Sequence, residues 1–272
     1  MPETSQAVWE RIGFDGRPRP DLATLKALHL RHACAIAFEN LSVLIGEPVR
    51  LEIEAIEDKL IHRQRGGYCF EHNALFMHAL RSIGFELTPL AARVVWAGED
   101  TINPRTHMAL LVTVAGDRWI CDVGFGGATQ TAPIRLEPGS IQPTPHERLR
   151  IVADGELFRL DIEIGQDWRP VYEFDLQAQL PVDYEAMNHY VQTHPSSHFA
   201  QVLMAGLPDD TGRFTLRNAE LRRYEQGVMK DRRFLPSGDA LGRTLRETFG
   251  IRLGQDVDPD AVFARITGAE TA

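Results

Sequence analysis

The spacing of the apolar residues changes at Phe85, and this constrains the fold more than any other feature of the chain. Before Phe85 they recur every three or four positions, as one buried helical face requires. Pro20-Asp21 reads as a helix start, followed at that spacing by Leu22, Leu25, Leu28 and His32. A short stretch, "AIAFENL", then reads as extended. After Cys69 the helical period returns: Phe76, Leu80 and Ile83 share a face, as do Leu75 and Ala79, and Gly84 suits the position just past the helix end.

After Phe85 the blocks "LTPLAARVVW", "HMALLVTV" and "RWICDVGF" are rich in Val, Ile, Leu and aromatics, as strands are. The Pro-rich loop "APIRLEPGSIQPTPHE" separates them from "LRIVADGELFRLDIEI", in which Asp154-Gly155 is a two-residue hairpin signal. Phe158, Leu160, Ile162 and Ile164 alternate with Arg159, Asp161 and Glu163, the pattern of a half-buried strand. "WRPVYEFDL" adds another. Antiparallel strands joined by short turns predict a small barrel or curled sheet. Beyond about residue 185 the pattern is mixed, with helix starts at Ser237 and at Asp258-Pro259.

A chain of 272 residues lies near the length at which one core stops growing, so two or three subdomains are expected. With 29 Lys plus Arg against 38 Asp plus Glu, the net charge of -9 argues against nucleic acid as a partner. The N-terminus lacks the basic start and apolar core of a signal peptide. No apolar run approaches the ~20 residues that span a bilayer. Three cysteines, Cys34, Cys69 and Cys121, cannot all pair within the chain. A cytoplasmic protein with free thiols is expected, with no membrane association.

Of the three, Cys69 stands apart, because "RGGYC" places it behind two glycines and at the head of a helix. Adjacent glycines mark a sharp turn or a close approach of backbone. A sulfur at a helix N-terminus faces unpaired N–H groups and the positive end of the helix dipole, which favours a thiolate. The Cys69 N–H could also serve as an oxyanion donor. A nucleophile elbow and a buried structural cysteine both fit this stretch. Cys34 and Cys121 read as core.

A cysteine nucleophile needs a base, and the base an orienting group. His107 begins one strand and Asp122 lies in the next, facing the same side if Gly116-Asp117 form the hairpin loop. In that register His107 falls opposite residue 126, leaving Asp122 roughly 13 Å away along the strand. A bulge or a different loop would be needed to join them. A metal is not expected: Cys69 and His72, His29 and His32, and His189, His194 and His198 never make the two tight ligand pairs of structural zinc.

"FENL", "RGGYCFEHN", "THMALLV" and "CDVGFGG", in that order, give the chain a strong resemblance to the arylamine N-acetyltransferases over essentially its whole length. The resemblance implies an α+β fold: an N-terminal helical bundle over 1–84, a central antiparallel β-barrel over 85–185 and a C-terminal α/β lid over 186–272. It also implies a Cys-His-Asp core like that of transglutaminases and papain-like proteases, here Cys69, His107 and Asp122.

The implied reaction is ping-pong: acetyl-CoA acetylates Cys69, and an arylamine or arylhydrazine then takes the acetyl group. By the same resemblance Phe38, Trp96 and Phe125 line the acceptor pocket. Gly124, Gly126 and Gly127 let a loop approach the coenzyme, and Thr106 is a coenzyme contact. Arg65 is expected in an ion pair near the elbow. A monomer or homodimer without metal is expected. An amide synthase acting on another acyl thioester, or a transglutaminase or cysteine peptidase, would use the same three residues.

Overall fold

The computed structural model describes residues 3–98 and 102–268. The helical part comprises α1 (Glu3–Arg11), α2 (Leu22–Ala35), α3 (Leu41–Ile45), α4 (Ile53–Glu57) and α5 (Cys69–Ser82), with a two-residue strand β1 (Phe38–Glu39) between α2 and α3. Asp21 caps α2 by accepting the Thr24 N–H at 2.8 Å. α5 ends as its sequence predicts. Gly84 takes the left-handed φ of 91°, and the Phe85 N–H returns to the Leu80 carbonyl at 3.1 Å.

Eight strands follow: β2 (Glu86–Val94), β3 (Arg105–Val114), β4 (Asp117–Cys121), β5 (Ile134–Arg135), β6 (Ile141–Pro143), β7 (Arg148–Asp154), β8 (Leu157–Ile164) and β9 (Asp167–Ala178). They form one antiparallel sheet in the order β5-β4-β3-β2-β9-β8-β7-β6. The two edge strands approach each other across Gln142. Its side chain donates to the Arg135 carbonyl at 2.8 Å and accepts the Arg135 N–H at 2.7 Å, so the sheet is nearly closed into a barrel.

The remainder is α6 (Pro181–Thr193), strands β10 (Met204–Pro208), β11 (Arg213–Arg217), β12 (Glu220–Glu225) and β13 (Val228–Phe234), then α7 (Gly238–Glu247) and α8 (Pro259–Thr267). Ser237 caps α7 through the Ala240 N–H, and Asp258 caps α8 through the Asp260 N–H. The second sheet runs β1-β10-β11-β12-β13, so β1, from the helical part, becomes its edge strand. One face of this sheet packs Leu216 and Leu221 against Leu241 and Leu245 of α7.

β3 is buried on both faces, and this places the site. Met108, Leu110 and Val112 join the core under α5, while Ala109 and Leu111 point into the barrel interior. The barrel and the helical core share one wall. His107 stands at the start of that wall, near the first turn of α5.

Four sequence expectations change. The β3–β4 loop is Ala115-Gly116, one residue earlier than predicted, with φ of 52° and 85°, because a tight hairpin needs two left-handed residues. The β7–β8 loop is Gly155-Glu156, and Asp154 still pairs with Leu157. β4 ends at Cys121, so Asp122 to Phe125 form a turn rather than a strand. Cys34, read as core, is only half-buried, and burial with the nearby Asp210 and Asp209 charges pushes its thiol up to about 11.

Candidate active site

Cys69 is the first residue of α5, as its position behind "RGGY" predicts. The glycines serve close approach, not left-handed backbone. A Cβ on Gly66 would sit 2.1 Å from the Ala37 carbonyl oxygen, and one on Gly67 2.7 Å from a Glu71 carboxylate oxygen. The elbow is held by two buried ion pairs, Arg65–Glu39 at 2.9 Å and Lys59–Glu71 at 2.8 Å. Glu71 also accepts the Tyr68 N–H at 3.0 Å, closing the first turn of the helix. Burial raises the Glu71 carboxyl against the pull of Lys59, whereas the Arg65 and Lys59 charges overcome burial and hold Glu39 low. Arg65 therefore occupies the structural ion pair expected of it.

The structure brings Cys69, His107 and Asp122 together. The revised β3–β4 loop carries the register so that His107 falls against residue 124. A bulge between Ala92 and Arg93 opposite Thr106 turns the start of β3. Asp122, just past the end of β4, then reaches back. Its Oδ2 lies 2.7 Å from His107 Nε2, with both side chains buried. Its Oδ1 accepts the Gly124 N–H and the Asn73 side-chain amide, each at 2.9 Å. Cys69 also interacts with His107, and its Sγ lies 3.7 Å from the Thr106 carbonyl.

These contacts decide the charges. Burial disfavours an imidazolium at His107, but the charge and hydrogen bond of Asp122, aided by the Cys69 sulfur, raise its pKa to about 10. Burial would raise the Asp122 carboxyl, yet His107, Asn73 and the Gly124 N–H together hold it below its usual range. A sulfur at a helix start, an imidazole beside it and a buried carboxylate behind are the parts of a cysteine nucleophile and its base.

Of the expected pocket residues, Phe125 is nearest His107, with ring centroids 5.2 Å apart and edge-to-face. Trp96 packs on Phe125 at 6.1 Å. Phe38 lies on a different flank, against Gly126, where a Cβ would meet its ring at 3.1 Å, and against Phe199 at 6.3 Å. Gly124 passes the elbow so closely that a Cβ would fall 2.9 Å from Cys69 Cα. Gly126 has a φ of 88°, and Gly127 is exposed beside Thr215 of β11. Thr106 is half-buried next to His107.

Three neighbours were not anticipated. Asn73 donates to Asp122 and to the Met108 carbonyl (2.8 Å), and its own oxygen accepts the Val123 N–H at 3.2 Å. Its position four residues after Cys69, on the same face of α5, was a usable signal. Tyr172, its ring 5.0 Å from that of His107, reads from sequence as ordinary strand core. His29 accepts the Asp122 backbone N–H at 3.2 Å.

The histidines weighed as metal ligands have other duties. His72 donates from Nε2 to the Ala37 carbonyl at 3.1 Å, which leaves Nδ1 to accept from His32 at the same distance. Burial depresses His72 to about 4 and His29 to about 3. Among the described residues no group of three or more His, Cys, Asp or Glu is placed to hold a metal ion. None of the helices described is long and apolar enough to cross a membrane.

Fold and site together set a helix-borne thiol against a barrel-borne imidazole and carboxylate. The profile of the N-acetyltransferase family matches residues 21–257. The arylamine N-acetyltransferase of Mycolicibacterium smegmatis is 43% identical over 261 residues, covering 94% of each chain. The solved arylamine N-acetyltransferase of Salmonella typhimurium superposes with a TM-score of 0.92 at 38% identity, over 97% of this chain and 99% of that one. The Mycobacterium marinum enzyme, solved in complex with CoA, gives 0.92 and 38% over 97% and 98%. The chain belongs to the arylamine N-acetyltransferase family. It is an acyltransferase by that membership.

Proposed function

We propose that this protein transfers the acetyl group of acetyl-CoA to arylamines and arylhydrazines through an acetyl-Cys69 intermediate. One observation carries the reading: His107 is held by Asp122 at 2.7 Å and also interacts with the Cys69 sulfur, with its imidazolium form favoured. In this reading Cys69 reacts as a thiolate beside the His107 imidazolium. The thiolate attacks the thioester carbonyl, the carbon–sulfur bond to coenzyme A breaks, and the departing sulfur takes the proton from His107. Cys69 is the first residue of α5, so its N–H is one that the helix leaves free for the developing oxyanion.

In the second half the amine nitrogen attacks the acetyl carbonyl. His107, now neutral, takes the amine proton, and Cys69 leaves as thiolate, restoring the starting pair. An arylamine is neutral near pH 7 and needs no prior deprotonation. Asp122 keeps Nε2 protonated and fixes the ring, so that Nδ1 is the nitrogen that exchanges protons with sulfur and amine. Phe125, Trp96 and Phe38 supply apolar walls for the acceptor ring. The turn through Gly124, Gly126 and Gly127, with Thr106, borders the coenzyme's acyl end. That the M. marinum relative was solved with CoA supports this donor.

Intact-protein mass spectrometry after brief exposure to acetyl-CoA tests the reading. One acetyl group on Cys69, absent in Cys69→Ala and discharged by an added arylamine, is the expected result. An enzyme that is never acetylated, while Cys69 still reacts with iodoacetamide, would rule out the donor.

A further inference from the structure

Asp122 is held at both ends, and the second hold comes from α2. Its carboxylate is fixed by His107, the Asn73 amide and the Gly124 N–H. Its backbone is fixed elsewhere. The β3–β4 ladder ends with the Leu110–Cys121 pair, so the next amide, that of Asp122, falls outside the sheet. The His29 side chain takes it: Nε2 accepts the Asp122 N–H at 3.2 Å, with both residues fully buried.

Only one form of the ring can do this. Nε2 offers a lone pair when the imidazole is neutral and its proton sits on Nδ1. Burial keeps the ring neutral by pushing its pKa down to about 3, against the pull of the Asp122 charge. The Nδ1 atom is itself buried and has no partner among the described residues. An unpaired buried donor destabilises a fold, so packing alone favours an apolar side chain at this position. His32, one turn further along α2, holds the opposite tautomer and donates from Nε2 to His72 Nδ1. Phe76 of α5 meets both rings edge to face, 5.7 Å from His29 and 5.4 Å from His32. One face of α5 thus orients the His29 ring through Phe76 and the Asp122 carboxylate through Asn73.

We propose that His29 is a positioning residue for the acyl transfer: its Nε2 lone pair holds the Asp122 backbone where the carboxylate can align the His107 ring beside Cys69. The inference rests on the reading of Cys69 as the acylated nucleophile. His29 exchanges no proton in the reaction. Its part is to remain a neutral acceptor while Asp122 carries the charge.

Rates of Cys69 alkylation by iodoacetamide and of Cys69 acetylation by acetyl-CoA, for wild type, His29→Leu and His29→Gln, test this. Leucine fills the space without an acceptor, whereas the glutamine Oε1 falls near the place of Nε2. His29→Leu should slow both reactions roughly tenfold, the scale of one hydrogen bond lost from a fixed geometry. His29→Gln should recover most of that loss. Unaltered rates in His29→Leu, or a His29→Gln as slow as His29→Leu, would overturn the assignment. If acetyl-CoA fails to acetylate the wild type while alkylation still follows the acceptor, the donor reading falls and the role of His29 stands. Nitrogen-15 NMR of the wild type gives an answer that needs no variant to fold. It should place the His29 proton on Nδ1, and a proton on Nε2 would refute the proposal.

Discussion

Gly124 and Cys69 touch backbone to backbone: a Cβ on the glycine would lie 2.9 Å from Cys69 Cα and 3.0 Å from His72 Cβ. The turn carrying Asp122 and the helix carrying the thiol are therefore located against each other without any side chain between them. In Gly124→Ala one of the two must move, and Asp122 and His107 move with the turn. A displacement of this kind costs on the order of 100-fold in rate. The expected result is that loss in kcat/KM with a lowered Tm. Full activity in Gly124→Ala would show the contact to be yielding.

Asn73 ties the Asp122 carboxylate to β3 and to the following turn through three hydrogen bonds. Asn73→Ala leaves the Met108 carbonyl and the Val123 N–H without that partner and Asp122 with one bond fewer. A loss of about 1–3 kcal/mol is expected from urea denaturation. Alkylation of Cys69 by iodoacetamide should also slow, because His107 loses the anchoring of its carboxylate. A variant of unaltered stability would contradict this.

The Arg65–Glu39 pair has side-chain exposures of 2% and 0%, and breaking it strands a charge. Arg65→Met should destabilise the protein by about 3–5 kcal/mol, the usual result of removing one member of a buried pair. Because Glu39 also accepts the Leu41 N–H at 2.7 Å, the start of α3 should lose protection in hydrogen exchange. Equal protection in the variant and the wild type would overturn the coupling.

The buried histidines should differ in charge at neutral pH. His107, raised to about 10, stays protonated, and the stability it contributes is fully present below its unfolded value of about 6.5 and lost as pH rises through 10. Asp122, held low, contributes stability above its unfolded value that disappears as pH falls through its folded one. His29 at about 3 and His72 at about 4 stay neutral. Below about pH 6.5 the unfolded chain binds protons at these two sites that the native state refuses, so stability falls with acid. Nitrogen-15 NMR at pH 7 should find an imidazolium at His107 and neutral rings at His29 and His72. A neutral His107 would contradict the protonation state from which the proposed mechanism starts.

The α5 helix, its stop at Gly84 and the antiparallel strand-rich middle were legible because each is written in neighbours: a period, a cap, a turn residue. The special place of Cys69 was legible too, since two glycines before a helix start have few uses. The proximity of His107 to Asp122 was not. It depends on which residues close the β3–β4 turn, and moving the loop by one residue shifts the facing position by two. It depends further on a bulge and on a strand ending one residue before Asp122. Tyr172 and His29 were invisible for a related reason, because their partners come from other elements.

The amino-acid sequence by itself determined the local elements and the chemistry carried on them, because helix periods, caps and glycines act over a few residues. The tertiary structure alone decided which of those groups meet. The hydrogen bonds that hold Asp122 come from three separate elements, and the ring beside His107 from a fourth. Only the packing of the barrel wall against α5 sets those distances, because contacts between residues far apart in the chain follow from how whole elements dock.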